Sequence, residues 1–291
     1  SFDEISDFDV SNLSLIVVTN EFYEYEYIED VQYLKNDGEI LNADFEGEDF
    51  EGDYFNTLYF ETGESIEERK ERAKISTSPE ELEKLAVDEI EDVRSVARNA
   101  NTPVSLLEKL AGDEDEYVRS HVAGNTNTPV SLLEKLVEDE DEYVRRNVAG
   151  NTNTPVSLLK KLAEDKNKDV RTAVAGNANI PVSLLEKLAE DKYENVRIQV
   201  AKNKNTPVSV LEKLAVDEDE DVRSRVAENT STPTSLLEKL AEDKGVSVRS
   251  YVARNAKTPA SVLEKLAKDE SEGVRRNAAN NPNTPVSPTA T

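Results

Sequence analysis

The chain has 291 residues, a formal net charge of -26 at pH 7, no Cys, Met or Trp, and a single His. Such an excess of acid opposes the phosphate-neutralising surface of a general nucleic-acid binder, and equally a surface for anionic membranes. Without Cys there can be no disulfide, thiolate metal site, cysteine nucleophile or Cys-ligated iron–sulfur cluster, and the redox compartment stays open.

Residues 1–64 hold nineteen Asp/Glu against one base, Lys35, together with all seven Phe and six of the ten Tyr. A merely disordered acidic tail would be poor in aromatics. The expectation is therefore a small folded β or α+β domain. Leu13 to Thr19 is a β-rich run, and Phe22 to Tyr27 alternates Tyr with Glu. Asn36-Asp37-Gly38 is a turn signal, with strands expected from Glu39 to Phe45 and from Tyr54 to Glu61. Phe45, Phe50, Phe55 and Phe60 recur every five residues. That spacing is similar to pentapeptide-repeat β-helices, some of which imitate DNA. Four units would make only about one coil, with no neighbour to stack on, so strands joined by Gly turns are preferred. Asp44, Glu46, Glu48 and Asp49 are rich in oxygen, but a calcium loop needs Gly where Asp49 stands. The longest apolar run, Leu13 to Val18, is far too short to span a bilayer. A cytoplasmic location is the default expectation.

Residues 65–78 read as a capping or linker segment. Ser65 to Lys74 predicts a helix, with Ser65 as cap and Glu68 three residues on. The segment is expected to cover the end of a stack of repeats.

Residues 79–284 repeat. Pro103, Pro129, Pro155, Pro181, Pro207, Pro233, Pro259 and Pro285 stand 26 residues apart, and a copy 24 residues long begins at Pro79. A fixed period of this length specifies a solenoid. In the copy from Pro103, Thr102 is expected as N-cap and Pro103 at the first helical position. Leu106, Leu107, Leu110 and Ala111 share one side of this short helix. Asp113 to Glu116 lead into a second helix, which turns Val118, Val122 and Ala123 inward. Gly124 and Asn125 are expected to stop it in the left-handed conformation. The fold class is thus mainly α, an α-solenoid of about eight helix pairs. Residues 285–291 start another copy, which Pro285 and Pro288 keep from completing a helix.

The pattern Asn-x-x-Thr-Pro-x-x-Leu-Leu-x-x-Leu-Ala-x-Asp-x-x-x-x-Val-Arg-x-x-Val-Ala resembles the leucine-rich repeat variant family, a relative of HEAT repeats. The resemblance implies a right-handed superhelix in which one helix of each pair can be 3₁₀. A known member carries a cysteine-ligated cluster ahead of its repeats. This chain has no Cys, so no redox role carries over, and no cofactor is expected.

Three polar positions recur in every copy. They include Asp113, Asp139 and Asp165; Arg119, Arg145 and Arg171; and Asn125, Asn151 and Asn177. Groups repeated identically suit inter-repeat and turn bonding better than catalysis. HEAT repeats, which show a similar Asp…Val-Arg spacing, imply charged ladders between neighbours. A regular charged track for a repetitive ligand is the alternative. The positions that change include Tyr117, His121, Tyr143, Arg146, Ile198, Gln199, Lys202, Arg225, Tyr251, Arg254 and Arg276, at spacings of three and four on one helical face. They are the candidate partner-binding residues, with Tyr and Arg as favoured anchor types. Drift on a solvated face would give the same variability.

His121 is the lone His, and no Ser-His-Asp, metal-ligand or phosphate-loop pattern forms around it. No catalytic, metal or cofactor residue is assigned. The expected function is a non-enzymatic protein-interaction scaffold, with the partner unidentified. The alternative is an acidic nucleic-acid mimic acting through residues 1–64. Arg249, Arg254, Lys257, Arg275 and Arg276 make a basic region opposite the acidic amino-terminal end, which suits weak head-to-tail self-association.

Overall fold

The computed structural model describes residues 13–16, 30–35, 40–44, 66–88, 90 and 94–285. Two compact units divide the chain, Ser1–Ser76 and Thr77–Thr291. In the first, β1 (Leu13–Ile16), β2 (Asp30–Lys35) and β3 (Ile40–Asp44) form an antiparallel sheet in the order β1-β2-β3. Leu13 pairs with Lys35, and Leu34 with Ile40. The runs read as strands at Phe22–Tyr27 and Tyr54–Glu61 lie outside the described residues, as do the Phe45–Phe60 spacing and the Ser65 cap. The same unit ends in α1 (Ile66–Ile75).

The second unit opens with α2 (Pro79–Leu85) and a 3₁₀ turn, Ser95–Arg98. Seven helix pairs follow. The first helices are α3 (Val104–Leu110), α5 (Val130–Leu136), α7 (Val156–Leu162), α9 (Val182–Leu188), α11 (Val208–Leu214), α13 (Thr234–Leu240) and α15 (Ala260–Leu266). The second helices are α4 (Glu116–Gly124), α6 (Glu142–Gly150), α8 (Lys168–Gly176), α10 (Glu194–Lys202), α12 (Glu220–Glu228), α14 (Val246–Arg254) and α16 (Glu272–Ala279). Both members of each pair are α-helical. Each second helix lies beside the second helix of the next repeat, so these form one continuous layer. Each first helix touches the second helices on either side of it.

The core is the aliphatic pattern of the repeat. Leu106, Leu107, Leu110, Val118, Val122 and Ala123 are buried, and so are their counterparts in later copies except Leu158, which is half-buried, and Ala279, which is exposed. Ala111 is only half-buried. Helices of seven and nine residues are marginal in isolation. Burial of a large aliphatic side chain contributes about 1.5–3 kcal/mol, and it comes from the neighbouring repeat.

Two details of the helix ends correct the sequence reading. The N-cap of each first helix is the proline itself, extended at φ -62 to -74° and ψ 148 to 157°. The preceding threonine, replaced by Ile180 before Pro181, does not cap. Thr102 Oγ1 donates instead to the Val96 carbonyl, as Thr206 does to Val200. A hydroxyl there has two targets in reach, and the carbonyl left open at the end of the previous helix wins. Likewise, Gly124 and Asn125 adopt no left-handed conformation. The C-cap asparagines from Asn125 to Asn255 are extended, at φ -62 to -69° and ψ 126 to 133°.

Asp115, Asp141, Asn167 and Asp219 cap their second helices through the side chain, whereas Ser271 at the last one does not. Asp141 Oδ1 accepts from the Tyr143 and Val144 amides at 2.8 and 3.2 Å. Gly245 stands at the same position of α14 and has no side chain to offer. There Glu220 of the preceding repeat reaches over and accepts from the Ser247 amide at 3.1 Å. Asp141→Ala is expected to cost about 1 kcal/mol, read as a lower urea midpoint at unchanged slope.

Candidate binding face on the second helices

The recurring polar residues are spent inside the stack. Seven arginines, from Arg94 to Arg249, each grip an aspartate of the next repeat through both Nε and Nη2. The Nε–Oδ2 distances are 2.6–3.0 Å. In the same side chain, Nη1 donates to the carbonyl of the aspartate six residues earlier, as in Arg171 to Asp165 O at 2.7 Å. Each guanidinium thus joins two repeats in a bidentate, charge-assisted geometry. Among the described residues Arg275 keeps only the carbonyl contacts, to Asp269 and Glu270.

The asparagines form a second ladder. Asn125, Asn151, Asn177, Asn203, Asn229, Asn255 and Asn281 each donate from Nδ2 to a carbonyl 28 residues back, at 2.6–2.8 Å. Each also donates to the backbone carbonyl of the asparagine one repeat earlier. A third series is exposed: Lys187 with Glu164 at 2.7 Å, Lys265 with Glu242 at 2.6 Å, and the pairs Lys161–Glu138 and Lys213–Glu190. It is interrupted where Val216 replaces the glutamate.

The ladder sets the response to acid. Burial pushes the carboxyls of Asp139, Asp165, Asp191 and Asp243 up, but the arginine hydrogen bonds, a backbone N–H and nearby cations outweigh it and hold them below the ordinary aspartate range. For Asp269 the Arg249 hydrogen bond is the leading cause of the lowering. A carboxyl lowered in the folded state stabilises above its unfolded pKa, and that stability disappears as pH falls through the lowered value. Helical circular dichroism should therefore persist to about pH 4 and collapse below it. The approach to the pI relieves the self-repulsion of a chain at -26, so little should be lost between pH 7 and pH 5.

The second helices also present an outer side. Their second, fifth, sixth and ninth residues share one face. Tyr117 and Tyr143 are exposed there, as are Arg146, Lys202, Arg254 and Arg276. His121, Ile198, Gln199, Arg225 and Tyr251 are half-buried. The structure therefore brings the predicted residues onto one layer, although they are spread over six helices.

Neighbouring helices touch across this face. Asn277 Nδ2 donates to Ser250 Oγ at 2.7 Å. A Cβ at Gly176 would stand 2.8 Å from Gln199 Nε2, so the glycine leaves room for that side chain. Arg225 donates to Glu228 at 2.8 Å and to the Tyr251 hydroxyl at 3.0 Å, with its guanidinium 5.3 Å from the ring centroid. Arg254 lies over the same ring at 5.8 Å, and Arg146 over Tyr143 at 5.7 Å. Tyr193 was not singled out by sequence, yet it collects Lys168, Arg171 and Lys192 around its ring at 4.9–5.6 Å. Among the described residues no group of His, Asp or Glu could hold a metal ion, and no helix is long and apolar enough to cross a membrane.

No protein-family model matches the chain, and no curated protein matches it. Among solved structures it is similar to a leucine-rich repeat variant with a novel repetitive structural motif. The two are 28% identical over 69% of this chain and 81% of that one, with a TM-score of 0.51. The chain is a tandem helical-repeat protein. Other similar structures are the YibA protein of E. coli and an archaeal HEAT-like repeat protein from Thermococcus onnurineus. The first is 20% identical over 76% of this chain and 98% of that one, at a TM-score of 0.47. The second is 14% identical over 75% and 95%, at 0.28. In this helical-repeat protein the invariant polar positions hold the repeats together, and the variable ones face outward on the second helices.

Proposed function

We propose that the protein is a non-enzymatic interaction scaffold that presents the second-helix layer, as a right-handed solenoid surface, to a protein partner. The observation that carries this reading is the separation of roles within each repeat. The recurring Arg, Asp and Asn side chains are consumed by inter-repeat bonds, while Tyr117, Tyr143 and Ile198 stand outside those ladders and Tyr251 meets the preceding repeat through Arg225 on the face itself. Repeat arrays bind along such surfaces with one contact per repeat, and exposed Tyr and Arg are strong anchor types.

The test is affinity capture from native lysate with the full chain and with the triple variant Tyr143→Ser/Ile198→Asp/Tyr251→Ser. A specific co-purifying protein should be lost with the variant while helical circular dichroism is unchanged. Retention of the same protein by the variant rejects this face. The reading as a nucleic-acid mimic rests on residues 1–64, and no described side chain favours it.

A further inference from the structure

The ladder arginines from Arg94 to Arg249 face carboxylates at hydrogen-bond distance. On the second-helix face there are five bases, Arg146, Lys202, Arg225, Arg254 and Arg276, against three acids, Asp169, Asp221 and Glu228, in a chain of net charge -26. Among the described residues only Arg225 pairs with a carboxylate, that of Glu228. Two of the remaining four are preorganised in the same way. Arg146 lies over Tyr143 three residues before it, and Arg254 over Tyr251 three residues before it. A guanidinium stacked on a ring loses less rotamer freedom on binding, and its edge keeps parallel N–H donors suited to a carboxylate.

The spacing of these two modules selects the ligand. Arg146 is on α6 and Arg254 on α14, four steps along the layer. Adjacent helices stand about 8–10 Å apart, so the span is roughly 32–40 Å. An extended polypeptide covers that in about ten to twelve residues. Halfway along lies α10, which offers Ile198 as an apolar contact.

Resting on the scaffold reading above, we propose that this face takes an extended acidic peptide. Two isolated carboxylates about ten to twelve residues apart meet Arg146 and Arg254, and an apolar side chain near the middle covers Ile198. A nucleic acid fits less well. It carries a charge on every nucleotide, and those between the anchors would meet Asp169, Asp221 and Glu228 against Lys202 and Arg225, with Glu142, Glu194 and Glu220 outnumbering Lys168 along the border. A peptide can place neutral residues there.

The test measures fluorescence anisotropy with the full chain. One labelled probe is a peptide of about sixteen residues with two Glu about eleven apart, a central Leu and otherwise Ser and Ala. The others are its Lys-for-Glu counterpart, the same composition with the two Glu about four apart, and single-stranded oligothymidine. The spaced Glu peptide should saturate at about 50 mM salt and weaken at about 300 mM. Its affinity should fall at least about tenfold for the Arg146→Gln/Arg254→Gln variant, and similarly when the two Glu are brought together. The proposal is overturned by unchanged affinity in that variant, by equal or tighter binding of the Lys peptide or the oligonucleotide, or by no saturation with the spaced peptide at about 1 mM. Lys-peptide binding that Ile198→Asp abolishes would overturn only the acidic ligand and leave the polypeptide-binding face standing. A captured partner that ignores the face variants would instead remove the scaffold reading itself.

Discussion

Asn177→Ala should lower the unfolding free energy by about 2–4 kcal/mol, although it deletes only a carboxamide. The side chain is 3% exposed. Its Nδ2 donates to Ala149 O at 2.7 Å and to Asn151 O at 3.0 Å, and its Oδ1 accepts from the Asn179 amide at 2.8 Å. Asn151 O keeps the Thr154 amide as a second donor. The heaviest loss is therefore at the buried Ala149 carbonyl, whose desolvation is no longer offset. Asn179→Ala is the control. Its Nδ2 bond to Thr152 O is exposed, and the change should stay within about 0.5 kcal/mol. Asn177→Asp sharpens the test. A carboxylate cannot donate to either carbonyl, so burial and the facing oxygens raise its pKa in the folded state. Such a group is tolerated below its unfolded pKa and destabilises as pH rises, so its deficit against the parent should grow from pH 4 to pH 7. Urea midpoints across that range give the answer. A deficit independent of pH would mean that Nδ2 is not the group that matters.

The same asparagine shows how far the sequence could be read. That Asn177 recurs and has a structural duty follows from its period. Its partners do not, because they lie 26 and 28 residues back, and a local helix-stop rule assigns it to a left-handed turn it never adopts. The aliphatic core was legible because Leu106, Leu107 and Leu110 repeat the spacing of a helical face. Thr102 misled because a hydroxyl beside Pro103 suits an N-cap and a carbonyl equally well, and only the fold brings Val96 O within reach. The candidate face was legible as a set of changing positions at spacings of three and four. Which of its cations remain uncompensated was not. Arg225 and Arg254 look alike in sequence and both lie over Tyr251, yet among the described residues only Arg225 has a carboxylate partner, Glu228. The Lys–Glu series was also periodic, but pairs 23 residues apart in sequence meet only after stacking.

Breaking one rung of the arginine ladder should show that its value lies in the pair. Asp191→Ala leaves the Arg171 guanidinium, whose side chain is 10% exposed, without its carboxylate. Lost are the bonds from Nε at 2.6 Å and Nη2 at 3.0 Å, and the Tyr193 amide loses its acceptor. The guanidinium keeps Asp165 O at 2.7 Å and the Tyr193 ring, which tempers the penalty to about 2–4 kcal/mol. Arg171→Leu should cost a similar amount, since it strands the carboxylate of Asp191 instead. The double variant Arg171→Leu/Asp191→Leu should lose clearly less than the two singles combined, with a coupling energy of about 2 kcal/mol or more, because no buried charge is left uncompensated. Lys187→Ala, at an exposed pair with Glu164, should change nothing measurable. Each rung ties one repeat to the next, so a break at Arg171 falls between α8 and α10 in the middle of the array. Nearest-neighbour coupling then predicts a second effect: a single sharp urea transition in the parent should broaden or split in Asp191→Ala, as the repeats on either side begin to unfold separately. Additive singles with an unsplit transition would show that the aliphatic layer alone carries the cooperativity, with the arginines as passengers.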